Sequence, residues 1–334
     1  MSSIEKGARP VPPTLNDIQE AAHRIKGFAI RTPLLENREL NEIVGGRLIF
    51  KPEVLQRTAS FKFRGACNRL LQLSPEQQRA GVVAFSSGNH ALATSAVARI
   101  LGIPATIIMP ADAPQAKVKG ARTNGATVIL YDRKKDDREA IGAEIANRTG
   151  ATIVPPYDDP YVIAGQGTVG LEIMEDLDAF GIEADSVLAA CSGGGLIAGL
   201  ATAVRAKSSR TQVYAVEPQG FDELARSLAS GKRERNAPDA KSICDALQVV
   251  TPGELTFDIN RRLLAGSLVV SDDEVRNAMR VAYDKLKLVL EPGGAVGLAA
   301  ALEQRIQTRD RTTVVVLSGG NVDPELYAEI LTAQ

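Results

Sequence analysis

The sequence predicts an α/β protein with two open, mainly parallel twisted sheets flanked by helices. The first observation is a regular alternation. Apolar, β-branched runs at 82–85, 105–109, 127–131 and 152–154 are separated by helical stretches at 91–101, 116–123 and 136–149, and alternating units of this length make a parallel sheet covered by helices. The second is a break and a restart. Pro155-Pro156-Tyr157-Asp158-Asp159-Pro160 replaces the periodic pattern with prolines and acids, and a further set follows: helix 168–180, strand 186–190, helix 196–206, strand 212–216. This divides the chain into a small domain at 81–155 and a large one made of 1–80 and 156–334.

In order, a helix spans 15–25, and Thr32-Pro33-Leu34-Leu35 is extended, because the residue before proline avoids the helical region. A strand at 47–51 precedes a helix at 65–73. Gly102, Gly125 and Gly150 fall just past helices, where a left-handed cap is wanted. A looser stretch, 231–256, leads to a helix from 272 to about 288, then helix 295–304, strand 313–317 and helix 324–331. There is no internal repeat and no low-complexity tract.

With 334 residues the chain can bury more than one core. Its 39 lysines and arginines against 40 aspartates and glutamates leave a formal charge of −1, which favours neither nucleic acid nor an anionic membrane and points to a small-molecule partner. Cys67, Cys191 and Cys244 are far apart and odd in number, the pattern of reduced thiols in a cytoplasmic protein. Two histidines, His23 and His90, make a zinc site improbable. The polar, proline-bearing start carries no apolar signal core, and no run of about eighteen apolar residues occurs, so a soluble protein without a cleaved export signal is expected.

Lys62, in Ser60-Phe61-Lys62-Phe63-Arg64-Gly65, stands between aromatic residues. Lost hydration would lower its pKa and make a neutral amine available for Schiff-base chemistry, whereas a lysine that snorkels past Phe61 and Phe63 would keep its head in water. Three loops follow strands directly, where ligands bind in open α/β sheets. Ser192-Gly193-Gly194-Gly195 can bring backbone N–H groups against a phosphate at a helix N-terminus, or form a tight turn alone. Ser86-Ser87-Gly88-Asn89-His90 suits a carboxylate, or plain N-capping, with a structural hydrogen-bonding role favoured for His90. Ser318-Gly319-Gly320-Asn321 offers one neutral hydroxyl to a ligand's ring nitrogen, or merely shapes the turn. Gly165-Gln166-Gly167-Thr168-Val169-Gly170 matches the dinucleotide GxGxxG pattern, but three prolines cut it off from the preceding strand, and that reading is rejected.

Together these four motifs, in this order and at these separations, resemble the threonine dehydratase and serine racemase family of fold-type II pyridoxal phosphate enzymes, whose fold is like that of the tryptophan synthase β chain. Ala164-Gly165-Gln166-Gly167-Thr168 and Glu291-Pro292-Gly293-Gly294-Ala295 support the match, which covers nearly the whole chain. The resemblance implies that the large domain binds pyridoxal 5'-phosphate, with Lys62 holding it covalently, Phe61 packing on its ring and Asn89 bonding the ring hydroxyl. It places the phosphate on the backbone N–H groups of Gly193, Gly194, Gly195 and Leu196, Ser318 at the pyridine nitrogen, and the substrate carboxylate at Ser86, Ser87, Gly88, Asn89 and His90. It further implies a dehydratase, or ammonia-lyase, for L-threonine, L-serine or a related 3-hydroxy amino acid. Lys62 takes the α-proton, the 3-hydroxyl leaves, and the enamine hydrolyses to a 2-oxo acid and ammonia. A serine at the ring nitrogen weakens the electron sink, which elimination tolerates better than transamination does. Ser87, where many simple threonine dehydratases have alanine, adds a second proton donor and hence serine racemase side activity. Alternatives are a dehydratase of 3-hydroxyaspartate or phenylserine, an enzyme that is primarily a racemase, and a non-catalytic ligand-binding protein. A homodimer is the family expectation.

The chain departs from the family's pattern at Ser192, in place of the first of four glycines, at Cys244-Asp245-Ala246, where Asp-Gly after Ile-Ala is common, and at Leu92, where glutamine is usual. The family's divalent-cation site, for Mg2+ or another ion, maps onto Glu217, the Phe221 carbonyl and Glu223; helix capping by these acids is the other reading. The regulatory C-terminal domain of biosynthetic threonine dehydratases is not expected, nor feedback control through one.

Overall fold

The computed structural model describes residues 10–333 apart from 87, 114, 133 and 134. Its strands are β1 (Leu35–Glu36), β2 (Arg47–Pro52), β3 (Val82–Phe85), β4 (Ala105–Pro110), β5 (Thr127–Tyr131), β6 (Thr152–Ile153), β7 (Ser186–Ala190), β8 (Gln212–Pro218), β9 (Gly266–Val270) and β10 (Thr312–Leu317). Six form one sheet in the order β1-β2-β10-β7-β8-β9, and four form another in the order β5-β4-β3-β6. All pairs are parallel except β1 with β2. The fold class is as the alternation predicts: two mainly parallel sheets flanked by helices.

Parallel strands covered on both faces must be apolar throughout. β7 is buried along its whole length, and so are Val314, Val315, Val316 and Leu317 of its neighbour β10. These two strands end at Ala190 and Leu317, so the glycine loops after them open side by side at the carboxyl edge of the large sheet.

Several element boundaries differ from the sequence reading, each for a local reason. The helix expected from 65 is Lys62–Leu70, so Lys62 is in its first turn. The helix expected from 168 is the 20-residue Pro160–Ala179, because Asp159 accepts from the Tyr161 and Val162 N–H groups as N-cap and Pro160 fits the first turn. The GxGxxG segment therefore lies mid-helix, where a Cβ on Gly165 would come within 2.7 Å of the Arg64 carbonyl; its glycines serve helix packing. In the stretch read as loose or unassigned are the helices Glu223–Ser230 and Glu254–Leu263 and the edge strand β9. The helix from Asp272 ends at Val281 and gives way to a wider turn at Ala282–Leu286. Gly102, Gly125 and Gly150 do have positive φ.

Candidate active site

Lys62 is delivered by a strained approach. Thr58 and Ala59, neither a glycine, have φ of 60° and 52°, and such conformations persist only where the surroundings impose them. Here the Gly320 N–H donates to the Ala59 carbonyl (2.9 Å), the Phe61 N–H to the Ser318 carbonyl (3.1 Å), and Asn321 Nδ2 to the Thr58 carbonyl (2.8 Å). The lysine loop is thus clasped to the Ser318 loop. Behind it, buried Arg64 donates from Nε to Glu53 and from Nη1 to Glu172, both at 2.7 Å, and so ties the helix that carries Lys62 to the turn that follows β2 and to the helix Pro160–Ala179.

Lys62 Nζ donates to the Pro156 carbonyl at 2.8 Å and stands 5.2 Å from the centre of the Phe61 ring. Although the side chain opens on a cavity, burial lowers its pKa from 10.5 to about 8, against the opposing pull of Glu291. Of the two readings of this lysine, the snorkelling one does not fit, because Nζ is bonded to a main-chain carbonyl inside the cavity.

The same cavity is lined by Phe61, Ser86, Gly88, Asn89, His90, Ser192, the three glycines Gly193 to Gly195, Leu196 and Ser318. Ser87 lies outside the described residues. Apart from Ser87, the cofactor and carboxylate residues read from the sequence therefore converge on one place. The helix Gly195–Lys207 starts at that cavity, and among the described residues no side chain caps it. Gly194 has φ +94°, and a Cβ there would meet Asn260 Nδ2 at 2.8 Å, while one on Gly193 would lie 2.4 Å from the Tyr157 ring. Thr256 Oγ1 donates to the Gly193 carbonyl at 2.6 Å and holds the loop from below. An uncapped helix start under a loop that admits only glycine is a cradle for a phosphate, and in this respect the residues fit pyridoxal phosphate.

The helix Asn89–Leu101 likewise begins at the cavity after β3, and Ser86 Oγ accepts from the Gly88 N–H at 3.1 Å. His90 Nε2 lies 2.9 Å from the Val154 carbonyl, which can only accept, so Nε2 carries the proton. Burial pushes the His90 pKa down to about 3 and keeps the ring neutral. Ser318 is 4% exposed, and among the described residues its hydroxyl makes only a long 3.5 Å contact with the Gly293 carbonyl, which leaves it available to a ring nitrogen.

Several lining residues carry no role in the sequence reading: Arg138, Tyr157, Asp245 and Glu291. Glu291 did have a signal, an acid directly before Pro-Gly-Gly at a helix start; Arg138 had none. Asp245 pairs with Lys117 of the helix Gln115–Thr123 at 2.6 Å across the two sheets, and Ala246 and Leu247 also line the cavity. Leu92 is not among the lining residues and packs against Gly120, so its departure from glutamine does not reshape this pocket directly.

Glu217, Phe221 and Glu223 lie away from the cavity. Glu217 accepts from the Leu224 and Ala225 N–H groups (2.8 Å each) and from Ser267 Oγ (2.7 Å), so it caps the helix Glu223–Ser230, as the second reading had it, though buried and not on the surface. Burial raises its pKa to about 7; burial and then Glu217 raise that of Glu223 to about 8. Among the described residues no three or more His, Cys, Asp or Glu gather as a metal site.

A family profile described as "Pyridoxal-phosphate dependent enzyme" matches residues 25–319. The chain belongs to this family. Among its pyridoxal-phosphate dependent relatives, a serine racemase of Schizosaccharomyces pombe is 42% identical over 322 residues, 96% of this chain and 98% of its own. An L-threo-3-hydroxyaspartate ammonia-lyase of Pseudomonas sp is 44% identical over 316 residues, covering 95% and 98%. A solved threonine deaminase, from T.th., superposes with a TM-score of 0.88 at 42% identity, covering 93% of this chain and 99% of that one. The pyridoxal-phosphate dependent ammonia-lyases and racemases are therefore the group to which this protein is related.

Proposed function

We propose that this protein is an ammonia-lyase that removes water and then ammonia from a 3-hydroxy amino acid, L-serine, L-threonine or a near relative, with serine racemisation as a side activity. The observation that carries the reading is the convergence in one cavity of a desolvated amine, Lys62, a glycine cradle, and the start of the helix Asn89–Leu101, which no side chain caps among the described residues.

Lys62 and the backbone of Gly193, Gly194, Gly195 and Leu196 would hold pyridoxal phosphate, with Phe61 and Asn89 against its ring and Ser318 at its nitrogen. When bound, the cofactor supplies a sink for electrons released at the amino acid's α-carbon. Ser86 and the N–H groups at the start of the helix Asn89–Leu101 orient the substrate carboxylate. Lys62 Nζ, whose pKa burial lowers to about 8, takes the α-proton in its neutral form. Ser318, a neutral hydroxyl, cannot keep a ring nitrogen protonated, which favours loss of a leaving group over reactions that need a long-lived carbanion. The test is a panel of 3-hydroxy amino acids with 2-oxo acid release as readout; no turnover of any of them by a cofactor-loaded protein would sink the reading.

A second reading, 3-hydroxyaspartate as substrate, is favoured by Arg138, an exposed cation that lines the same cavity over the Phe85 ring (5.4 Å). A side-chain carboxylate would be its natural counter-charge. An Arg138→Leu variant that loses 3-hydroxyaspartate turnover while keeping that of serine would favour it.

Residues 1–80 and 156–334 would be the large, cofactor-binding domain and 81–155 the small one, which the separate four-stranded sheet supports. A cytoplasmic location fits three buried cysteines that form no disulfide; a homodimer is the family expectation, and light scattering tests it. Glu217, the Phe221 carbonyl and Glu223 would bind Mg2+ or another divalent cation, supported by Glu223 Oε1, which is buried without a partner among the described residues.

A further inference from the structure

Glu291 is a buried carboxyl in the cavity that the elimination as derived does not use. It is the N-cap of the helix Pro292–Leu302 and is 2% exposed. Its Oε1 accepts from Asn89 Nδ2 at 2.5 Å. At the other end of the same amide, Asn89 Oδ1 accepts from Asn321 Nδ2 at 2.8 Å, and that nitrogen also donates to the Thr58 carbonyl at 2.8 Å.

The two ends of an asparagine amide have nearly the same shape, so packing does not choose between them; partners of fixed polarity do. The Thr58 carbonyl can only accept, which fixes the Asn321 amide. Asn321 then presents N–H to Asn89, and Glu291 presents an oxygen to its other end. Both partners demand the same orientation. Nδ2 has two hydrogens, of which Glu291 takes one, and the other remains for a ligand in the cavity that Asn89 lines. Room for this arrangement exists because position 319 has no side chain: a Cβ on Gly319 would lie 2.1 Å from Glu291 Oε1 and 3.2 Å from Asn89 Nδ2.

We propose that Glu291 is a positioning residue that, together with Asn321, locks the Asn89 amide so that an N–H faces the cofactor's ring hydroxyl oxygen. This rests on the reading that Asn89 lies against the pyridoxal phosphate ring. Glu291 acts as an acceptor, so a glutamine, whose amide oxygen also accepts, serves in its place.

The test titrates full-length cofactor-free protein with pyridoxal 5'-phosphate and records both affinity and the absorbance maximum of the bound form, for wild type, Glu291→Gln, Glu291→Ala and Asn321→Leu. Glu291→Gln is expected within about threefold of wild type with the same maximum. Glu291→Ala is expected to bind at least about tenfold more weakly, with a shifted maximum, because the amide is free to turn. Asn321→Leu, which leaves Glu291 untouched, moves both readouts in the same direction and keeps the idea testable if Glu291→Ala does not fold. Wild-type affinity and maximum in Asn321→Leu or in a folded Glu291→Ala would overturn the proposal, as would a Glu291→Gln protein as impaired as Glu291→Ala. A wild type that takes up no cofactor would overturn the proposed function and this inference together.

Discussion

Replacing Lys62 by methionine, which keeps its length and removes its charge, is expected to stabilise the cofactor-free chain at neutral pH. Burial lowers the Lys62 pKa from 10.5 to about 8, a change that corresponds to about 3 kcal/mol of penalty on the charged form in the folded state. The same substitution removes the 2.8 Å bond to the Pro156 carbonyl, worth about 1 kcal/mol, so a net gain of about 2 kcal/mol remains at pH 7. The sign follows from proton linkage. Between about 8 and 10.5 the unfolded chain holds the Lys62 proton more tightly than the folded one does, so the penalty is complete below pH 8 and fades as pH rises to 10.5. Urea unfolding of both cofactor-free proteins at pH 7 and pH 10 is the assay, and the advantage of methionine is expected to shrink to near zero at the higher pH. Equal stability at pH 7 would refute the desolvated amine. An equal gain at both pH values would show that methionine merely packs better and that the charge carries no penalty.

Ser318→Ala should lower activity by roughly two- to twelvefold, the loss of one neutral hydrogen bond of about 0.5 to 1.5 kcal/mol, whereas Lys62→Ala should abolish turnover in steady-state assays. Equal losses with cofactor bound in both would contradict the ring-nitrogen contact. Ser87→Ala should remove D-serine formation from L-serine and largely spare pyruvate formation, measured by chiral analysis beside pyruvate release; a mutant that racemises like wild type would refute a two-base route through Ser87. Millimolar Mg2+ or Ca2+ should raise the thermal midpoint of wild type by a few degrees and leave Glu223→Gln unmoved, since about 100-fold saturation of a site is worth about 2.7 kcal/mol. A midpoint that ignores both ions would remove the cation from the proposal.

What could be read in the sequence depended on whether the cause was local. The buried parallel strands at Val82–Phe85, Ser186–Ala190 and Thr312–Leu317 are apolar runs that announce themselves, and the glycine loop after β7 shows both its strand and its helix. The start of the helix Pro160–Ala179, before 168, is not legible because Pro160, at its first position, resembles a breaker when read without its Asp159 cap. The strand Gly266–Val270 was missed because it is a short sheet edge, mostly half-buried, whose apolar run is limited to Leu268-Val269-Val270. Lys62, the glycine loop and the Asn89 loop were legible as motifs. Arg138 was not, since it reaches the cavity only through the packing of the small sheet, and neither was the role of Glu291, which depends on a contact to Asn89 202 positions away in the chain.

The central claim is that Lys62 is the covalent attachment point of pyridoxal phosphate. Borohydride reduction of the cofactor-loaded protein, followed by proteolysis and mass spectrometry, tests it most directly. The account predicts that the near-visible band bleaches and that the reduced cofactor's mass is found on the peptide containing Phe61, Lys62 and Phe63, at Lys62 alone. Cofactor mass on a different lysine, or a band that bleaches with no modified Lys62 peptide, would contradict it.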